Sequence, residues 1–448
     1  MIQGVISFSR KLRSASTVAW LCSLFATTLA GSAQGLTFVM TTLDVGGSPS
    51  RIEVADVNND GKPDLICNAG GITVLTNDGC GRFGVSVTVG SSIACLAVAD
   101  VNGDGKPDLA GGAWDGTLTV WTNNGHGSFG SNAVYNIGGW PTCIAAADVN
   151  GDDRLDLIVA GWYIPLLTVL TNHGRGVFGL NATYNVGSYL MSVVAVDVNG
   201  NGKPALVSAN NLSNTLSLLT NNGSGGFSLG AMLTVGLRPM CVAAADLDAD
   251  GRPDIVSANE DGTLSVLTNN GSGSFGARAT LAIGSTTSQC VVAADANGDG
   301  KPDLICANYE QNESLEHIGT LMVFTNRGGG VFGSNATFNV GGYTSCVAAA
   351  DINGDGMLDF ISGRPGALTV LTQIILGPPM LTATTTGSNT LTLSWSSFST
   401  NFVLQTNADL ASTNWVSADY PVFIVNGTNQ SACIPQPAAG NLFFRLKR

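Results

Sequence analysis

Asp295-Ala296-Asn297-Gly298-Asp299-Gly300-Lys301-Pro302-Asp303 sets oxygen-bearing side chains at positions 1, 3, 5 and 9 of a nine-residue loop. Gly300, at position 6, permits a sharp turn there. Reading outward, short apolar stretches flank the loop on both sides, too short for helices and of strand length. The same pattern starts at Asp56, Asp100, Asp148, Asp197, Asp246, Asp295 and Asp351, about every 49 residues.

A complete copy contains four strand-like segments. In the fifth, these are Val242 to Ala245, Asp254 to Ala258, Thr263 to Thr268 and the stretch opened by Phe275-Gly276, with the turn Asn269-Asn270-Gly271-Ser272-Gly273 before the last. One four-stranded antiparallel sheet cannot bury both of its faces. Arranged around an axis, seven such sheets can, so the expected fold is all-β: a seven-bladed β-propeller of four-stranded antiparallel blades over residues 36–376. The seventh copy stops at Leu371-Thr372, after its third segment, while Phe38 to Val45 reads as a fourth. The N-terminal strand is therefore expected to complete the last blade and close the ring.

The loops, taken together with Phe83-Gly84, Phe129-Gly130, Phe178-Gly179, Phe275-Gly276 and Phe332-Gly333 in register, resemble the FG-GAP family, also called VCBS repeats, which includes the propeller of integrin α subunits. Phe227-Ser228 departs from the pattern in the fourth copy. The resemblance implies an integrin-like propeller with calcium loops on one rim and a ligand surface on the other.

Hard oxygen ligands at alternating positions suit Ca²⁺. Five loops carry the full set: Asp56, Asn58, Asp60 and Asp64; Asp100, Asn102, Asp104 and Asp108; Asp246, Asp248, Asp250 and Asp254; Asp295, Asn297, Asp299 and Asp303; Asp351, Asn353, Asp355 and Asp359. A sixth, with Asp148, Asn150, Asp152 and Asp156, places Asp153 at the glycine position, which predicts a strained turn. The fourth copy has Asp197, Asn199 and Asn201 but Ala205 at position 9. An EF-hand is excluded because position 12 is not glutamate; in the loop from Asp295 it is Cys306. About five or six structural Ca²⁺ sites are expected, with no catalytic group attached to them.

On the opposite rim the strand order collects Trp114, Trp162, Tyr163 and Tyr309 from second-to-third loops and Trp140, Tyr189 and Tyr343 from fourth-to-first loops. These rings suit either a ligand surface or packing over the blade ends. The sixth copy is longer there, adding Glu310, Glu313, Glu316 and His317. Of three histidines, His126 and His173 fall in repeat turns, and no nucleophile elbow, metalloprotease helix or phosphate loop is present, so no enzyme is expected. The alternative is a secreted polysaccharide-active lyase or hydrolase on the same scaffold.

Arg10, Lys11 and Arg13 followed by the apolar run Val18 to Ala30 predict a signal peptide over 1–33 and an extracytoplasmic bacterial protein, secreted or on the cell surface, with no membrane span after cleavage. The net charge of −13 argues against a nucleic-acid partner. The expected partner is an extracellular protein or glycan, and the expected state a monomer. Ten cysteines include Cys22 in the leader, leaving an odd number in the mature chain. Cys95, Cys143, Cys241, Cys290 and Cys346 each stand five residues before a loop and read as buried small apolar groups. Beyond Gly377-Pro378-Pro379, residues 380–448 resemble a small β-sandwich of fibronectin type III-like character, with Trp395 and Phe443-Phe444 in its core.

Overall fold

A computed structural model describes residues 28–33, 36–162, 166–284, 287–311 and 316–374, together with the strands of the C-terminal segment. The sequence repeats become sheets one for one. The first blade is formed by Ile52–Ala55, Asp64–Asn68, Ile72–Asn77 and Phe83–Val89, hydrogen-bonded in that order, and the next five blades follow the same order. The last blade takes its first three strands, Cys346–Ala350, Asp359–Arg364 and Ala367–Gln373, from its own repeat and its fourth, Leu36–Asp44, from the N-terminal end. Phe38 lies opposite Gln373 and Asp44 opposite Ala367, so the expected closure holds. Thr28–Ala33 adds a further strand at that outer edge.

The first strand of each blade contacts the first strand of the next around the whole circle, and Cys346–Ala350 meets Ile52–Ala55 to complete it. Seven hydrophobic clusters fill the seven junctions between blades. The junction at the closure is centred on Phe38, whose ring lies 4.9 Å from Phe338 edge-on and 4.8 Å from Phe360. A fully buried side chain of this size stabilises by about 1.5–3 kcal/mol. Two of the phenylalanines that open fourth strands also lean on the blade before them: Phe178 meets Tyr135 at 6.0 Å and donates its backbone N–H to the Tyr135 hydroxyl at 2.8 Å, and Phe227 repeats this with Tyr184.

Leu29–Gln373 forms one compact unit, and a second takes in Ile374–Arg448. Within the latter, Thr382–Thr385, Thr390–Ser396, Asn429–Pro435 and Val422–Val425 pair as one sheet, and Val416–Ser417, Val403–Asn407 and Phe443–Lys447 as another. The side chains expected in its core, Trp395 and Phe443-Phe444, lie outside the described residues, as does most of the leader. No helix among the described residues is long and apolar enough to cross a membrane.

Candidate functional site

Every aspartate loop folds around its own first carboxylate. Asp56 accepts the backbone N–H groups of Asp60 at 3.1 Å and Gly61 at 2.7 Å, Asn58 accepts Asp60 at 2.9 Å, and Asp60 accepts Lys62 at 3.0 Å. Position 4 requires a left-handed backbone. Glycine supplies it in five copies, and Asn59 and Ala249 adopt it at φ +60° and +63°. At position 6 Asp153 is forced to φ +61°, as expected of a side chain in the glycine slot. Burial opposes, but the N–H groups of Asp153, Gly151, Asp152 and Asn150 outweigh it and hold Asp148 below the usual carboxylate range.

The cationic side chain at position 7 folds back onto position 5 in several copies. Lys62 reaches Asp60 at 3.6 Å, Arg252 reaches Asp250 at 3.4 Å, and Lys301 reaches Asp299 at 3.1 Å. These pairs are exposed and add little to stability.

The carboxylate at position 9 is different in kind. Asp64 is sealed from solvent and takes the Val57 N–H on one oxygen at 3.1 Å and the Asn77 N–H on the other at 2.8 Å. Burial pushes Asp108 and Asp303 up to about 6 and Asp359 up to about 7, with those backbone N–H groups pulling the other way. Asp64, Asp156 and Asp254 shift upward for the same reason.

A residue outside the predicted set links these carboxylates around the ring. The asparagine ending each third strand donates its side-chain amide to the position-2 carbonyl of the preceding blade. Asn123 reaches Val57 at 2.8 Å, Asn172 reaches Val101 at 2.7 Å, Asn269 reaches Val198 at 2.6 Å, and Asn326 reaches Leu247 at 2.7 Å. Gln373 takes the role in the last blade, donating to Ala296 at 3.2 Å with its amide suitably oriented. Carboxylate, position-2 peptide and amide thus alternate in a hydrogen-bonded belt. It lacks one member, in the fourth blade, where Ala205 offers no carboxylate to join Val198 and Asn221. The signal was present in the recurring Thr-Asn pairs 76–77, 122–123, 171–172, 220–221, 268–269 and 325–326.

Among the described residues, one loop brings three acidic side chains within a cation's reach: Asp246, Asp248 and Asp254. Its position 3 is Asp248, where the others have asparagine, and the Asp248 Oδ1 atom is buried without a hydrogen-bond partner. A buried, uncompensated carboxylate oxygen is costly, and a hard cation held by Asp246, Asp248, Asp250 and Asp254 would compensate it. The residues present therefore fit Ca²⁺ best in this blade and worst in the fourth.

At the inner strands the thiols face neighbouring backbones. Cys143 donates to Val193 at 3.7 Å, Cys241 to Val291 at 3.7 Å, and Cys346 to Pro49 at 3.6 Å. Burial pushes the Cys346 thiol up to about 12, which disfavours its thiolate.

The other end of the ring gathers the aromatic residues. Trp114, Trp140, Trp162 and Tyr189 form a continuous row, with successive centroids 5.8, 5.7 and 5.8 Å apart. Trp114 is 46% exposed and Trp140 38%. Tyr309, His317 and Tyr343 form a second group, with Tyr309 and Tyr343 4.4 Å apart. Tyr163 and Glu313 lie outside the described residues. His126 and His173 are exposed in third-to-fourth turns.

A model of the FG-GAP-like repeat matches residues 56–111, 100–159, 197–257, 246–306 and 295–362, more than half of the chain. The chain belongs to the FG-GAP repeat family. A search of curated proteins found no match. Among solved structures, this FG-GAP propeller is similar to BBS1N in two crystal structures of its complex with ARL6DN. The mercury-soaked structure gives a TM-score of 0.53 at 12% identity, covering 75% of this chain and 97% of that one. The lead-soaked one gives 0.54 at 11%, covering 80% and 99%. Identity this low speaks for the shared fold alone.

Proposed function

We propose that this FG-GAP propeller is a secreted or surface-held scaffold, stabilised by calcium, that binds an extracellular protein or glycan on its aromatic end. The row Trp114–Trp140–Trp162–Tyr189 carries the reading. Large rings half open to solvent, aligned across three blades, supply the kind of rigid apolar surface on which partners anchor. That propellers of similar fold crystallise in complex with another protein, as BBS1N does with ARL6DN, is in keeping with a scaffold. Calcium would be held by the loops at the opposite end, with the Asp246 loop the strongest, and serves the fold. The segment 380–448 is proposed as a fibronectin type III-like spacer.

The test is to screen the full chain in calcium against glycan and extracellular-protein arrays, alongside Trp114→Ala and Trp140→Ala. Binding that both variants weaken at least about tenfold supports the aromatic surface, and binding that neither changes removes it.

A further inference from the structure

One blade breaks the symmetry of the channel. Five residues before each loop, six blades carry Cys95, Cys143, Ser192, Cys241, Cys290 and Cys346; the first carries Arg51. Three residues before each loop, six blades carry alanine or valine, from Ala97 to Ala348; the first carries Glu53. Arg51 Nε donates to Glu53 Oε1 at 3.1 Å. These are the two charged residues lining a cavity of about 780 Å³ that runs along the inner strands, whose wall is mostly small or apolar side chains and thiols. Trp114, Trp162, Gln289 and Tyr343 line the same cavity, so it opens on the aromatic end.

Six of the seven blades do without such a pair. An ion pair set among apolar groups is often no more stabilising than the small residues that could replace it, and the other blades show which residues those are. Nor is the pair sealed off: the Arg51 and Glu53 side chains are 34% and 32% exposed. Nε is the guanidinium nitrogen that Glu53 takes, which leaves the terminal N–H groups of Arg51 and the second oxygen of Glu53 available beside the cavity that both residues line, as donors and acceptor. Because Glu53 offsets the guanidinium charge, a bare carboxylate or phosphate gains little here. A neutral pyranose suits it better. Each hydroxyl both donates and accepts, so a vicinal pair can bridge Arg51 and Glu53 while the apolar ring face stacks on Trp114 or Trp162.

We propose that the channel mouth is a binding site for the end of a neutral glycan chain, with Arg51 and Glu53 gripping adjacent hydroxyls of its terminal sugar. This rests on the reading of the aromatic end as the ligand surface, and it deepens that reading by naming the ligand class.

The test uses calorimetric titration of the full chain with cellohexaose, mannohexaose and xylohexaose, and with hexagalacturonate as the acidic comparator. The key variant is Arg51→Ser with Glu53→Ala, which installs residues other blades already use. Its melting temperature should equal or exceed that of the parent. At least one neutral hexasaccharide should bind the parent, lose about tenfold or more in the double variant, and bind better than hexagalacturonate. Trp140→Ala, which lies outside the cavity lining, separates the two readings: if it weakens binding while the double variant does not, the aromatic surface stands and the channel site falls. Tighter binding of hexagalacturonate, or no binding of any neutral probe to the parent, overturns the proposal.

Discussion

Asn77, at the end of a strand in the first blade, donates its side-chain amide to the backbone carbonyl of Ile352 in the last blade at 2.6 Å, across 275 positions of sequence. The same amide also holds the Pro63 carbonyl at 2.9 Å, within its own blade. One side chain thus ties together the loops of two blades that the chain reaches at opposite ends of its length.

Asn77→Ala leaves two carbonyls without that donor in a buried position. The expected loss is about 1–3 kcal/mol of unfolding free energy, read from urea denaturation. An unchanged midpoint would show that the belt contributes no stability at this junction.

Calcium dependence has its own signature in the fourth blade. Ala205→Asp supplies the missing carboxylate, in reach of the Val198 and Asn221 backbone. The variant should melt higher than the parent in calcium and lower in chelator, because an added buried charge is favourable only when a cation offsets it. Scanning calorimetry in both conditions reads the two signs.

The pH dependence of the metal-free protein follows from Asp359. Burial lifts its folded pKa to about 7, against an ordinary value near 4. Between those values the folded state holds more protons than the unfolded, so stability falls as pH rises through about 4 to 7 and levels off above. In chelator the melting temperature should drop from pH 5 to 7.5, and Asp359→Asn should flatten that slope. Bound calcium favours the ionised carboxylates, so its stabilising shift should be larger at pH 7.5 than at pH 5.

Asp153→Gly relieves the left-handed backbone at φ +61°. A gain of roughly 0.5–1 kcal/mol is expected by chemical denaturation, the opposite sign to most substitutions in these loops.

Much of this was open to sequence reasoning because repetition amplifies weak local signals. A single aspartate-rich turn says little, but seven in register, with Phe38 to Val45 supplying the missing strand, leave one closed architecture. The strain at Asp153 was legible for the same reason, since its neighbours in register are glycines. What escaped notice depends on relations between blades. Asn77 and its equivalents look like turn residues until the preceding blade's carbonyl is placed beside them. The side chain of Lys62 returning to Asp60 depends on loop curvature that spacing does not encode. Arg51 and Glu53 belong to no motif in the chain and become notable only once the first strands are known to line a channel.

The last blade, assembled from Leu36–Asp44 and three strands more than three hundred residues later, also sets the order of events as the chain is made. Leu36–Asp44 cannot meet Ala367–Gln373, its neighbour in the last blade, until nearly the whole ring has emerged, and forming contacts over such a span is slow. Until then Phe38 lacks the pocket between Phe338 and Phe360. A ring whose last blade is completed by its N-terminal strand cannot be sealed for as long as those two segments are kept apart.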